Sequence, residues 1–179
     1  MTEEKRFLLK VISLCLQYPD AQLAEALDQV ASVMREVLPA GPEEAVIIEE
    51  ILSRLQKTPL LELQKEYTRT FDLDPAMTLN LSYHKWGEDK ERGRALAQLN
   101  QLYKAAGYDT FGGELPDFLP LVLEFLSVCH EEAFGTIAEE YRTCIEAVGS
   151  RLGDANSPYA GLFQLIGNFL VKEEIQQPS

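Results

Sequence analysis

Cys129 and His130 are as close as this chain comes to a nucleophile standing beside a base. Covalent catalysis needs those two side chains within hydrogen-bond reach of each other. Neighbours on a helix point about 100° apart, so these two do not face one another. A core cysteine next to a surface histidine is the simpler reading. Three residues before His84 stands Leu81, and three before His130 stands Ser127, so neither completes a Glu-x-x-His di-metal pattern. No His-Glu-x-x-His, phosphate-cradling glycine loop or nucleophile elbow is present. Cys15, Cys129 and Cys144 lie far apart on apolar helical faces, as buried thiols do, and lack metal or redox spacing. The paired acids Glu131-Glu132 and Glu139-Glu140 read as solvated faces. These residues predict a protein that is not an enzyme and that holds no metal or other cofactor.

The segments that must position any site are helical. Phe7, Leu8, Val11, Ile12 and Cys15 form one apolar stripe, ended by Tyr18-Pro19. Asp20 suits the N-cap of a second helix carrying Leu23, Leu27, Val30, Met34 and Val37, which Pro39-Ala40-Gly41-Pro42 breaks. Val46, Ile47, Ile51 and Leu55 mark a third, and Leu60, Leu63, Tyr67 and Phe71 a fourth. The fifth runs from about Asp89 to Ala106 with Gly107 as its stop. If Asp117 caps the sixth, Pro120 falls in its first turn, where a missing N–H costs little. Ile137 to Leu152 forms the seventh, and Ser157-Pro158 opens the eighth. The expectation is an all-α, single-domain bundle of about eight helices over residues 1–179. A long irregular loop near residues 72–88 interrupts it and holds the sole tryptophan, Trp86. Loops of that length are often functional.

Composition narrows the partners. The chain has 179 residues and a formal net charge of −13, with the normal apolar content of a globular domain. Residues 1–107 carry a net of −4 and residues 108–179 a net of −9. Phosphate-backbone binding needs surplus Lys and Arg, so nucleic acid is not an expected partner. An anionic membrane surface is disfavoured for the same reason, and no apolar run is long enough to insert directly. The N-terminal residues lead into an amphipathic stretch rather than a signal peptide, so the expected location is cytoplasmic.

Two clusters carry more than helical period. The first is Tyr67-Thr68-Arg69-Thr70-Phe71-Asp72, continuing through Leu79-Asn80-Leu81-Ser82-Tyr83-His84 to Gly87-Glu88-Asp89-Lys90-Glu91-Arg92-Gly93. The second is Glu114-Leu115-Pro116-Asp117-Phe118-Leu119-Pro120, followed by Leu123-Glu124-Phe125-Leu126. With Leu16-Gln17-Tyr18-Pro19-Asp20, and in this order, they closely resemble the delta-subunit family of respiratory nitrate reductases. These are the NarJ-type molybdenum-enzyme assembly chaperones, within the all-helical redox-enzyme maturation chaperones. The resemblance spans roughly residues 7 to 130.

That resemblance implies a non-catalytic chaperone. It would bind the N-terminal, leader-like segment of the nitrate reductase alpha subunit and hold it for molybdenum cofactor insertion and complex assembly. Carried over by position, Tyr67, Phe71 and Asp72 would form one side of a peptide groove, with the Glu114-Leu115-Pro116-Asp117 segment part of the opposite wall and Pro120 also among the peptide-binding residues. A basic, amphipathic leader needs an apolar groove with an acidic rim. Tyr67, Phe71, Tyr83, Trp86 and Phe125 would supply aromatic anchors, and Asp72, Asp117 and Glu124 would pair with arginine, with His84 nearby. Two alternatives stay open: a chaperone for a different molybdenum oxidoreductase, and a carrier that binds the molybdenum cofactor directly. A monomer is expected, with the 72–88 loop as the hinge if helices exchange in a dimer.

Overall fold

The computed structural model describes residues 1–37, 43–109 and 113–171. The predicted break at Pro39–Pro42 lies outside them. The described residues form α1 (Glu3–Cys15), α2 (Ala21–Val37), α3 (Glu43–Lys57), α4 (Leu60–Tyr67), α5 (Tyr83–Trp86), α6 (Lys90–Ala105), α7 (Leu119–Val128), α8 (Glu131–Asp154) and α9 (Ala160–Phe169). All eight predicted helices are present, and among the described residues no strand forms. No helix among them is long and apolar enough to cross a membrane.

Local chemistry explains most boundaries. Asp20 Oδ1 accepts from Leu23 N–H at 2.7 Å, and Asp89 Oδ1 accepts from Glu91 N–H at 2.9 Å, as N-caps do. Gly107 follows α6 with φ of 69°, a left-handed stop that suits glycine. Some details depart from expectation. α9 begins at Ala160 rather than Pro158, because Ser157 closes a short turn onto Tyr159 N–H (3.3 Å) before the helix starts. Some stripe residues, Val37, Val46 and Leu60, are exposed rather than inward; in α3 the buried face is Ala45, Ile48, Ile51, Leu52 and Leu55 instead.

α1 lies at the centre, against α7 above all and also against α2, α3 and α9, while α8 pairs with α9. Its Leu8, Leu9, Ile12 and Leu16 are fully buried, each worth about 1.5–3 kcal/mol relative to exposure. Polar bonds fix its register on α7. Ser13 hydroxyl donates to Pro120 carbonyl at 2.6 Å, and Arg6 donates to the Cys129 and Ser127 carbonyls at 2.9 and 3.3 Å. Those last two carbonyls are the open end of α7, where a cation suits both orphan acceptors and dipole. Cys15 and Cys129 are buried as expected; Cys144 is only half-buried.

The 72–88 segment is ordered by its contacts, not irregular. A five-residue π-helical turn, Thr68–Asp72, continues α4, with Leu73 N–H donating to Thr68 carbonyl at 3.1 Å. Asp74 then caps a 3-10 turn at Pro75–Met77 through Ala76 N–H at 2.9 Å. Residues 79–81 run antiparallel to 117–119 through a single bridge between Asn80 and Phe118. Its bonds are Leu119 N–H to Leu79 carbonyl at 2.8 Å and Leu81 N–H to Asp117 carbonyl at 3.0 Å. The two sequence clusters are therefore stitched directly to each other.

Candidate functional site

Beside that stitch the molecule opens into a cleft of about 380 Å³, lined by Phe71, Asp72, Pro75, Thr78, Asn80, Tyr83 and Arg92. The π turn delivers Phe71 and Asp72 to one wall. A π turn shifts the side chains that follow it relative to a continuous α-helix, and such turns recur at functional sites. Phe71 is buried between α4 and α9, edge-on to Tyr67 and Tyr159 at 5.0 Å each, so only part of it meets the cleft. Asp72 is exposed. On the opposite wall the Arg92 guanidinium lies over the Tyr83 ring, 5.5 Å from its centre, and donates through Nε to Ser82 hydroxyl at 3.1 Å.

Asp117 is sealed behind this wall at 0% exposure. Its Oδ2 accepts from Ser82 N–H at 2.9 Å and from Ser82 hydroxyl, and Arg92 Nη2 stands 3.9 Å away. The predicted capping role is not what it does. Phe118 occupies the N-cap of α7 and makes no side-chain cap bond, while Asp117 turns inward to fasten Ser82. Pro120 does sit in the first turn of α7, as expected.

The other predicted site residues fall into three environments. Pro116, Pro120 and Phe125 are buried framework. Pro116 carbonyl takes the Tyr103 hydroxyl at 2.7 Å, and the Phe125 ring packs 4.6 Å from Tyr103 and 5.3 Å from Tyr108. Glu124 is half-buried and bonds the Tyr108 side chain, whose pKa is pushed up to about 12 by burial and then by that carboxylate. His84 ties the cleft's lower edge, its Nε2 lying 2.8 Å from Thr78 carbonyl. Burial lowers the His84 pKa; the Thr78 bond and Asp117 oppose that, and Arg151 adds to it. Trp86 is not brought to the cleft. It packs half-buried against the core with the Lys85 ammonium 4.7 Å over its ring, and Lys85 pairs with Glu140 of α8.

Tyr67 and Glu114 do not line the cleft. Tyr67 is buried, donates to Leu16 carbonyl at 3.1 Å and meets the Tyr18 ring edge-on at 5.4 Å. Burial raises its pKa, and the negative charges of Asp72 and Glu114 act in the same direction. Each carboxylate is followed by an exposed leucine: Leu73 at 71% and Leu115 at 42%. Tyr18 itself is 48% exposed. Leu73, Ser82 and Arg92 were not among the predicted site residues, whereas Leu115 lies within the segment expected to form a wall. The acid-Leu doublet repeated in the two clusters, outside any helical stripe, was the available signal for Leu73. A larger apolar groove, about 510 Å³ between α6 and α8, is lined by Leu99, Leu102, Ile137 and Tyr141 among others and includes neither cluster.

Comparison with known proteins bears on these clusters. The family described as nitrate reductase delta subunit matches residues 18–164. A protein of Escherichia coli named nitrate reductase molybdenum cofactor assembly chaperone NarW is 30% identical over 94% of this chain and 71% of its own length. One of Bacillus subtilis, named as the corresponding NarJ, is 28% identical over 98% and 96%. A crystal structure described as a redox enzyme maturation protein from Archaeoglobus fulgidus superposes with a TM-score of 0.60. It is 25% identical and covers 92% of this chain and 93% of that one.

Proposed function

Because the chain belongs to the nitrate reductase delta subunit family, we propose that it is an assembly chaperone for a molybdenum-dependent nitrate reductase. It binds the N-terminal, leader-like segment of the alpha subunit and holds that subunit while the molybdenum cofactor is inserted. It works in the cytoplasm as a monomeric, single-domain protein and performs no catalysis.

The observation that supports this reading is an exposed carboxylate followed by an exposed leucine in each cluster, Asp72-Leu73 in the first and Glu114-Leu115 in the second. Exposed leucines beside exposed carboxylates match a segment that presents an apolar stripe and basic residues together. The cleft supplies a recess for one side chain next to that surface, and the surrounding negative charge favours encounter with a basic partner. The relatives' names point to the same client.

Co-expression followed by pull-down tests the proposal. The alpha subunit is expressed full-length and without its N-terminal segment. Capture of the full-length subunit together with loss of the truncated one is expected. Equal capture of both would overturn the leader-binding reading.

A further inference from the structure

The arrangement around Asp117 goes beyond a peptide cleft, although its role rests on the chaperone function proposed above. Among the described residues Asp117 Oδ1 has no hydrogen-bond partner, although the side chain is wholly buried. A buried carboxylate oxygen left unpaired is unfavourable, and a guanidinium bound through two parallel N–H donors would satisfy both oxygens. Arg92 does not do this. It lines the cleft, faces Asp117 at 3.9 Å, and spends its Nε donor on Ser82 instead. Its guanidinium carbon lies over the Tyr83 ring, 5.5 Å from the centre, where an aromatic face attracts a cation.

We propose that Arg92 is a resident occupant of an arginine seat. In the free protein its guanidinium covers Tyr83 and screens Asp117 from the cleft. An arginine of the client segment displaces it, stacks on Tyr83 and engages both oxygens of Asp117, while Arg92 turns out toward the exposed Asp72 on the facing wall. The seat is thereby closed to solvent until a guanidinium arrives. It also discriminates against lysine, whose point charge cannot make the paired contact.

The sign of one substitution tests this. The probe is a synthetic peptide of the alpha-subunit N-terminus carrying at least one arginine, compared with the same peptide bearing lysine instead. Arg92→Ala is expected to bind the arginine peptide about tenfold more tightly than the parent protein, the size of one charge-assisted bond no longer contested. That gain should vanish with the lysine peptide and in the Arg92→Ala/Asp117→Asn double variant. If the parent binds the peptide and Arg92→Ala binds it equally or more weakly, the seat is refuted while the chaperone reading stands. If neither protein binds, both fall. Should Arg92→Ala not fold, the parent protein answers through the Arg92 Nε–H resonance in NMR. On saturation with peptide it should lose its protection from exchange with water as the Ser82 bond breaks. An unchanged, protected signal in the bound state would refute displacement.

Discussion

At the residue scale, two acids of the candidate site occupy opposite environments, and their substitutions should behave oppositely. Asp117 holds both polar groups of Ser82 inside the protein. Asp117→Ala leaves those donors buried without an acceptor, and each such loss costs about 1–3 kcal/mol. A fall of about 2–4 kcal/mol in unfolding free energy is expected from urea titration. Asp72 is exposed, so Asp72→Asn should leave stability within about 0.5 kcal/mol. It should weaken binding of a basic peptide by an amount typical of exposed pairs, about 0.2–1 kcal/mol. Unaltered binding at low salt would remove Asp72 from the contact. His84 gives a prediction in pH. Its folded pKa lies below the ordinary 6.5, chiefly through burial. Between the folded value and 6.5 the unfolded chain binds more protons, so this contribution is complete above 6.5 and is lost as pH falls below it. His84→Gln should therefore flatten the acid side of a stability-pH curve. Parallel curves for variant and parent would contradict the assignment.

At the element scale, helices were legible in the sequence wherever one face is apolar at a period of 3.6, and caps such as Asp20 and Asp89 were legible because their bonds are local. The π turn was not. Tyr67 and Phe71 keep ordinary i, i+4 spacing, and bonds such as Leu73 N–H to Thr68 carbonyl, which mark the turn, leave no trace in residue type. Order in the 72–88 segment was hidden for a related reason, since it depends on Leu79 and Leu81 bonding residues more than 30 positions away. Asp117 misled because Pro-Asp-Phe-Leu-Pro has the local look of a helix start, while its partner Ser82 lies in the other cluster. Trp86, singled out by lying in a loop, is half core. The α8–α9 crossing carries a prediction of its own. A Cβ at Gly149 would stand 3.0 Å from the Cβ of Phe163, whereas one at Gly135 meets nothing within 4 Å. Gly149→Ala should cost about 1–3 kcal/mol by forcing the helices apart. Gly135→Ala should stabilise by about 0.8–1 kcal/mol through helix propensity. Equal urea midpoints for the two variants would show that the crossing is not tight.

At the scale of the whole molecule, five tyrosines are held above their ordinary pKa, with burial the leading cause in each. Tyr159 is pushed up to about 12 from the usual 10.0. The unfolded chain releases these protons first, so stability should fall as pH rises beyond 10, by about 1.4 kcal/mol per pH unit for each fully buried tyrosine. Thermal melts followed across that range check this, and a flat profile beyond pH 10 would contradict the packing of these rings. The net charge of −13 takes its meaning from where its acids stand. Much of the acid is ordinary solvated helix surface, but Asp72 and Glu114 each stand beside an exposed leucine within the two clusters. Leader binding at that surface underlies the whole functional reading. Its most direct test is calorimetric titration of the alpha-subunit N-terminal peptide into the protein at low and at high salt. Affinity of about micromolar is expected, as for a modest groove interface, weakening as salt rises. Absence of heat at both salt concentrations, with no competition against the full-length alpha subunit, would contradict it.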